Sequence, residues 1–326
     1  MDTTQRAMIE CLLTGVAAAL LLILLSFIPV FSLAVLLFPV PMIITGARNG
    51  TLYGLLSLAA SAAVISLAVN PEAGIYLLAL NVFPVLGLTL AHHKKLSSRE
   101  TTLISAGGIL LSFVLFLTLY SVFAGRSLFD EFWQSVRAFF VDGFIDFKGV
   151  LKTYHSMGLF KNFTTEGQLA DFLINEMKHY VPYTIIVFSL SIGFVHYLAS
   201  RYVLKRMGRY VADIPPFDEW LLSRGMGLGF LVLLVVSYFG SRLGIARFDT
   251  VLTTITLLVT FIFSVLGLSV VWFFLKAWNL PTPLRLLIII PGGLLLSLGM
   301  GLAIVGMADH LLGLRRVYMN RLKPQE

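Results

Sequence analysis

Acid-base, nucleophilic and metal chemistry need His, Cys, Asp or Glu held close together, and this chain has few of them: six His, one Cys and 17 Asp plus Glu in 326 residues. Their spacing forms no HExxH helix, no GxSxG elbow and no paired carboxylates inside an apolar run, so zinc hydrolysis and acyl transfer lack their residues. Cys11 is single and cannot close an internal disulfide, and no Cys/His cluster marks a zinc or iron-sulfur site. No Gly-rich loop ends in Lys-Ser or Lys-Thr, so the chain has no motif of its own for using ATP. The expectation is a protein that is not an enzyme and takes no cofactor and no metal.

What chemistry remains comes from single polar groups inside apolar runs, where each is costly and therefore a functional candidate. These are Glu10 and Cys11 about one turn into the first run, Asn81 beside Pro84, His196 about two and a half turns before Lys205, and Asp309-His310 near the end of the last run. Glu10 with Arg6, and Asp309 with Arg315 or Arg316, read as interfacial ion pairs. His196 and Asn81 either hydrogen-bond one helix to the next or, with Thr45 and Arg48, supply the polar groups of a ligand cavity. A packed His196 is expected to stay neutral and make one hydrogen bond to a Ser or Thr, with no second polar residue on its helical face.

The elements that must position these groups are membrane spans. The chain is 58% apolar and only 13% charged, against roughly 25% charged in soluble domains, which excludes a soluble globular protein. A span needs roughly 20 apolar residues. Nine segments qualify, at roughly 8 to 27, 30 to 47, 51 to 69, 74 to 91, 102 to 124, 181 to 204, 223 to 241, 248 to 275 and 284 to 312. The fold class is therefore all-α, a polytopic integral membrane helical bundle of about eight to nine transmembrane helices. It is read as one membrane domain, with a five-helix part over 1–124, an extracytoplasmic connection over 125–180 and three to four helices over 181–326. Pro39 and Pro41 interrupt the second segment, and Pro291-Gly292-Gly293 the last. Both should kink or unwind, and irregular backbone at that depth survives only when buried in protein or lining a wet cavity.

Arg6 followed by the apolar stretch Met8 to Phe27 reads as a first span, not a cleaved leader. The formal charge of +7 sits in short loops, which argues for membrane topology and against nucleic acid. Arg48, the set Lys94, Lys95 and Arg99, and the set Arg201, Lys205, Arg206, Arg209 and Arg224 share one side if the first six segments all cross. That side is cytoplasmic, together with the N-terminus. Nine crossings put Arg315, Arg316, Arg321 and Lys323 outside against the same rule, so the number of crossings and the side of the C-terminus stay open.

Within 125–180, Phe129, Phe132, Trp133, Val136, Phe139 and Phe140 recur at helical spacing, giving an amphipathic helix that lies on the membrane surface or acts as a lid. Cys11, Gly15 and Ala19 form a stripe of small residues at i, i+4 and i+8, while Gly225, Gly229 and Gly267 offer shorter surfaces of the same kind. Such a stripe packs another helix of the chain or docks a partner protein. The loop Ile214 to Trp220 holds two prolines, Pro215 and Pro216, with Phe217, Glu219 and Trp220 after them. It is a candidate cytoplasmic interaction loop or an aromatic anchor before the next span.

The basic end of the sixth segment, Arg201-Tyr-Val-Leu-Lys205-Arg206-Met-Gly208, and the Ile214 to Trp220 loop resemble the YybS-like bacterial membrane proteins, grouped as a domain of unknown function. The ending Gly306-Met-Ala-Asp309-His-Leu-Leu-Gly-Leu-Arg315-Arg316 is similar to that family's Gly-x-x-Asp plus basic close. The likeness covers nearly the whole chain and implies a multi-spanning protein of the bacterial inner (cytoplasmic) membrane without implying an activity. A more distant likeness links Pro39-Val-Pro41 through Gly46, Gly50 and Gly54 to substrate-binding subunits of energy-coupling-factor vitamin transporters. In those subunits small residues of helix one dock a membrane partner, which implies the same role for Cys11, Gly15 and Ala19. This chain is much longer than such a subunit, and two of the three positions are not alanine. The same architecture is associated with a rod-shape scaffold, so likeness of fold leaves function open.

Two functions follow. One is a non-catalytic membrane scaffold in envelope growth or sporulation, acting through helix one and the 201–220 loop. The other is a solute-binding or transport component without its own ATPase. A binder needs a polar-lined cavity, a scaffold a bundle filled by Leu, Phe and Val. With only Thr45, Arg48, Asn81 and His196 to line a cavity, the scaffold is slightly favoured. The bilayer is the expected partner, a membrane protein and a small-molecule ligand remain open, and nucleic acid is not expected.

Overall fold

The computed structural model describes residues 3–28, 35–142, 147–160, 162–298 and 300–322. Among the described residues every regular element is helical, with no strand. The α-helices are α1 (Thr3–Ser26), α2 (Val40–Asn49), α3 (Thr51–Ala68), α4 (Pro71–His93), α5 (Ser98–Ala124), α6 (Leu128–Asp142), α7 (Phe147–Ser156), α8 (Glu166–Arg206), α9 (Arg224–Arg242), α10 (Phe248–Ala277), α11 (Thr282–Leu298), α12 (Gly301–Leu312) and α13 (Leu314–Leu322).

Seven helices, α1, α3, α4, α5, α8, α9 and α10, are long and apolar enough to cross a membrane. The second and the last expected segments fall short, and both carry prolines, although Pro84 and Pro182 lie inside α4 and α8, which are long enough. The second contains the short α2, which starts right after Pro39, where a missing N–H costs nothing; residues 29–34 lie outside the description. The last segment is two helices. α11 runs on through Pro291 to Leu298, and the break falls instead at Met300, a left-handed residue with φ of 58° before α12. Side chains at 292 and 294–299 lie outside the description. The sixth segment lies within a longer helix, since α8 takes in the polar stretch before it and runs for 41 residues.

The chain divides into two compact units, Met1–Lys178 with Thr184–Asp213, and His179–Tyr183 with Ile214–Glu326. In the first, α1, α2 and α3 pack on one another, α3 on α4, and α4 on α5. Asn70 caps α4 by accepting from the Ala73 N–H at 2.7 Å, and Ser97 and Glu100 cap α5 reciprocally. The small stripe of α1 is an internal seam. Cys11, Gly15 and Ala19 are buried, a methyl on Gly15 would sit 2.3 Å from the Ser57 carbonyl oxygen, and Ser61 donates to the Gly15 carbonyl at 2.7 Å. The other face of α1 presents Leu13, Leu20 and Leu24, exposed and as apolar as a lipid-facing surface must be.

In the second unit α10 is the hub, contacted by α9, α11, α12 and the turn at Phe217–Glu219. Gly267 of α10 and Gly306 of α12 let the backbones touch: a methyl on Gly267 would lie 2.0 Å from the Leu302 carbonyl oxygen, and one on Gly306 2.1 Å from that of Phe263. Gly225 and Gly229, expected to offer a packing surface, meet nothing within 4 Å, whereas Gly227 between them lies against His310.

Candidate functional site

The first unit holds a half-open cavity of about 450 Å³ among the turn at 35–37, α4, α5 and the second half of α8. That is large enough for a small molecule. Its wall is mostly hydrocarbon, from residues such as Ile109, Phe113, Phe116 and Phe188, and holds no charged residue among those described. Pro39 and Pro84 both line it. Pro84 has no N–H to offer the carbonyl of Leu80, and the Phe83 N–H one residue earlier turns to Ser112 Oγ at 3.3 Å.

Two of the four expected cavity residues are here. His196 is 4% exposed, and its Nε2 lies 2.6 Å from the Leu36 carbonyl oxygen. A carbonyl only accepts, so Nε2 carries the proton, and the partner is backbone of the irregular chain before α2, not the expected Ser or Thr hydroxyl. The other ring nitrogen, Nδ1, is buried without a partner. Asn81 donates through Nδ2 to Leu77 of its own helix at 2.8 Å, so it does not join two helices. Ser189, seven residues before His196 and on the same face of α8, also lines the cavity and donates to the Ile185 carbonyl at 2.8 Å. The expectation that His196 has no polar neighbour on its helical face is thus corrected, and the i, i+7 spacing was the available signal.

The other two lie at the α1–α2 contact. Thr45 is buried and its hydroxyl is 3.4 Å from that of Thr14. Arg48 pairs with Glu10, which also accepts from Asn49 at 3.2 Å. Glu10 therefore finds its cation on α2, not at Arg6: α2 is seated directly on α1, and its last turn brings Arg48 and Asn49 to the carboxylate.

The second unit gathers the proline-rich loop and the basic ending into one network. Gly313, in the left-handed conformation at φ of 64°, ends α12 and turns the chain back, so the Arg315 guanidinium meets Asp309 through Nη2 at 2.7 Å and Nε at 3.0 Å. The remaining donors reach the Asp218 carbonyl at 2.5 Å, the Trp220 carbonyl at 2.9 Å and Ser269 Oγ at 3.0 Å. Asp309 and Arg315 are 3% and 8% exposed, while Arg316 points out. Pro216 and Glu219 of the loop are exposed, but Trp220 donates to the Pro215 carbonyl at 3.0 Å, and Phe217 packs its ring edge on Trp220 and Trp272. This arrangement holds a loop in place and leaves no group over for a ligand.

The amphipathic helix of the connection is α6. Phe132 and Phe139 are half exposed, and no α6 residue lines the cavity. Among the described residues no group of three His, Cys, Asp or Glu could hold a metal.

Compared with known proteins, residues 16–310 match the family model described as "Predicted membrane protein (DUF2232)". The chain is also similar to the "Uncharacterized protein YybS" of Bacillus subtilis (strain 168), 22% identical over 290 residues, 88% of this chain and 90% of that one. No solved structure matches. These matches do not extend to the energy-coupling-factor subunits.

Proposed function

This chain belongs to the DUF2232 family of predicted membrane proteins, and we propose that within it the first unit is a non-catalytic binding component for a small, mostly apolar molecule, with no energy source of its own. The observation that supports this is the cavity: about 450 Å³ walled mostly by hydrocarbon yet edged by His196, Asn81, Thr184 and Ser189. A bundle serving only as a scaffold would gain stability by filling that space with Leu or Phe. The scaffold reading has less support, since the stripe on α1 is already seated on α3 and the 214–220 loop is held inside its own unit. The likeness to a Bacillus subtilis protein favours a bacterial cytoplasmic membrane, and the Lys and Arg of the short loops favour the N-terminus and the 92–100 and 201–224 loops inside and 125–180 outside.

The test is purification from native membrane in gentle detergent, followed by mass spectrometry of small molecules that stay bound. Ile109→Trp fills the cavity with an indole. The expected result is a discrete compound retained by the wild type and lost from the folded variant. Identical small-molecule content in the two would contradict the proposal.

A further inference from the structure

Among the described residues, five helices end in the same double hydrogen bond, in which the N–H groups of two consecutive residues past the helix reach back to carbonyls of its last turns. The first of those two residues is left-handed, and α7, α8, α9 and α10 place Gly158, Gly208, Gly244 and Asn279 there. The end of α4 places Lys95 there instead, at φ of 51°, with its N–H on the His92 carbonyl at 3.2 Å and that of Leu96 on the Ala91 carbonyl at 3.1 Å. A residue with a long side chain is strained in that conformation, and glycine would relieve it. Strain kept where an unstrained residue would serve points to a use for the side chain. The dipole of α4 does not require it, since Lys94 already sets a cation at the same end.

The Lys95 ammonium lies 5.7 Å from the centre of the Tyr210 ring, so the end of α4 stands beside that of α8. One turn earlier on α4, His92 Nε2 meets Ser200 Oγ of α8 at 3.1 Å and fixes the two ends together. The acids of both ends are already engaged: Glu100 accepts from the Ser97 N–H at 2.9 Å, and Asp213 pairs with Lys205 and Arg201. Lys94, Lys95, Arg99 and Arg209 are exposed, and among the described residues none of them pairs with a carboxylate. Met207 and Tyr210, next to them in the chain, are exposed too. Both helices are long and apolar enough to cross a membrane, so these ends lie at headgroup level, where a tyrosine ring is at home. We propose that the paired ends of α4 and α8 form one surface that binds the headgroup phosphate of an anionic membrane lipid, with Lys95 as its fixed cation. A zwitterionic lipid brings its own ammonium and gains little there. None of these residues lines the cavity, so the two sites are separate.

The experiment titrates the full chain in detergent with phosphatidylglycerol or phosphatidylcholine, read by native mass spectrometry, and follows melting in phosphatidylcholine nanodiscs. Saturable binding of phosphatidylglycerol in preference to phosphatidylcholine is expected, weakened roughly fivefold in Lys95→Gly and in Arg209→Gln. Lys95→Gly should melt no lower than wild type in phosphatidylcholine, since it sheds strain and loses no anionic lipid there. Equal binding of the two lipids by wild type, or unchanged phosphatidylglycerol binding in either variant, would overturn the proposal. So would a Lys95→Gly protein that melts below wild type in phosphatidylcholine, because Lys95 would then be kept as a prop for Tyr210. Inorganic phosphate that displaces the lipid from wild type at equal concentration would make a soluble phosphate the occupant and overturn the assignment to lipid.

Discussion

The two polar centres of this protein are opposites. Around Arg315 every guanidinium nitrogen has an acceptor, and each acceptor is a fixed part of the same unit. Around His196, a residue of the cavity wall, the proton is already taken by backbone, and a buried nitrogen is left without a partner. A saturated network in apolar surroundings can only hold structure, because any ligand would have to displace a bond already made. An unsaturated one leaves a bond unmade and holds structure less tightly. Both look equally functional as polar residues within apolar sequence, and their partners are what separate them.

Breaking the saturated centre should have the largest effect. Arg315→Ala leaves Asp309 buried without its cation and strips two carbonyls of the 214–220 loop of their donor, a loss of about 3 to 5 kcal/mol. Hydrogen exchange should then accelerate at residues 214–222 and α12, and unchanged protection there would show that the network holds nothing. Arg315→Lys should fall close to alanine, since one ammonium cannot span the four acceptors.

Gly15→Leu comes next. With the Ser57 carbonyl oxygen 2.3 Å from where Cβ would stand, the side chain must force α1 off α3, at roughly 1 to 3 kcal/mol. The expected outcome is lower thermal stability in detergent. A variant as stable as wild type that has merely lost a co-purifying protein would restore α1 as a docking face.

At the unsaturated centre the change should be small. His196→Leu loses the bond to Leu36 but also removes the unpaired nitrogen, so stability should move by no more than about 1 kcal/mol. A drop as large as that of Arg315→Ala would mean that His196 is structural in the same sense.

The smallest effect belongs to the exposed clip after α8. Lys205 first, and Arg201 with it, hold the Asp213 carboxyl below its ordinary value of 3.8. A depressed carboxylate pKa stabilises the fold above the unfolded value and loses that contribution as the pH falls through the folded one. Wild type and Asp213→Asn should therefore differ slightly at neutral pH and converge below about pH 4. A gap that widens on acidification would reverse the assignment.

Much of this was legible in the sequence because membrane spans declare themselves by length and apolarity: each of the seven long helices overlaps one expected segment, and the two segments that fall short are the second and the last. The pairing of Asp309 with Arg315 was also legible from their spacing, although choosing between Arg315 and Arg316 needed the turn at Gly313. The cavity was only half legible. Pro39, Asn81 and His196 stood out as costly residues in apolar runs, whereas Ser189 and the phenylalanines look like ordinary span composition. Glu10 was given the wrong cation because sequence distance favours Arg6, while the seating of α2 on α1 brings Arg48 closer. The side chain of Thr45 turns to α1 for a similar reason.

The most direct measurement is a cryo-EM structure of the full chain purified from its native membrane without added ligand. Non-protein density is predicted in the space between Asn81, Phe113 and His196. An empty or collapsed cavity would contradict the account.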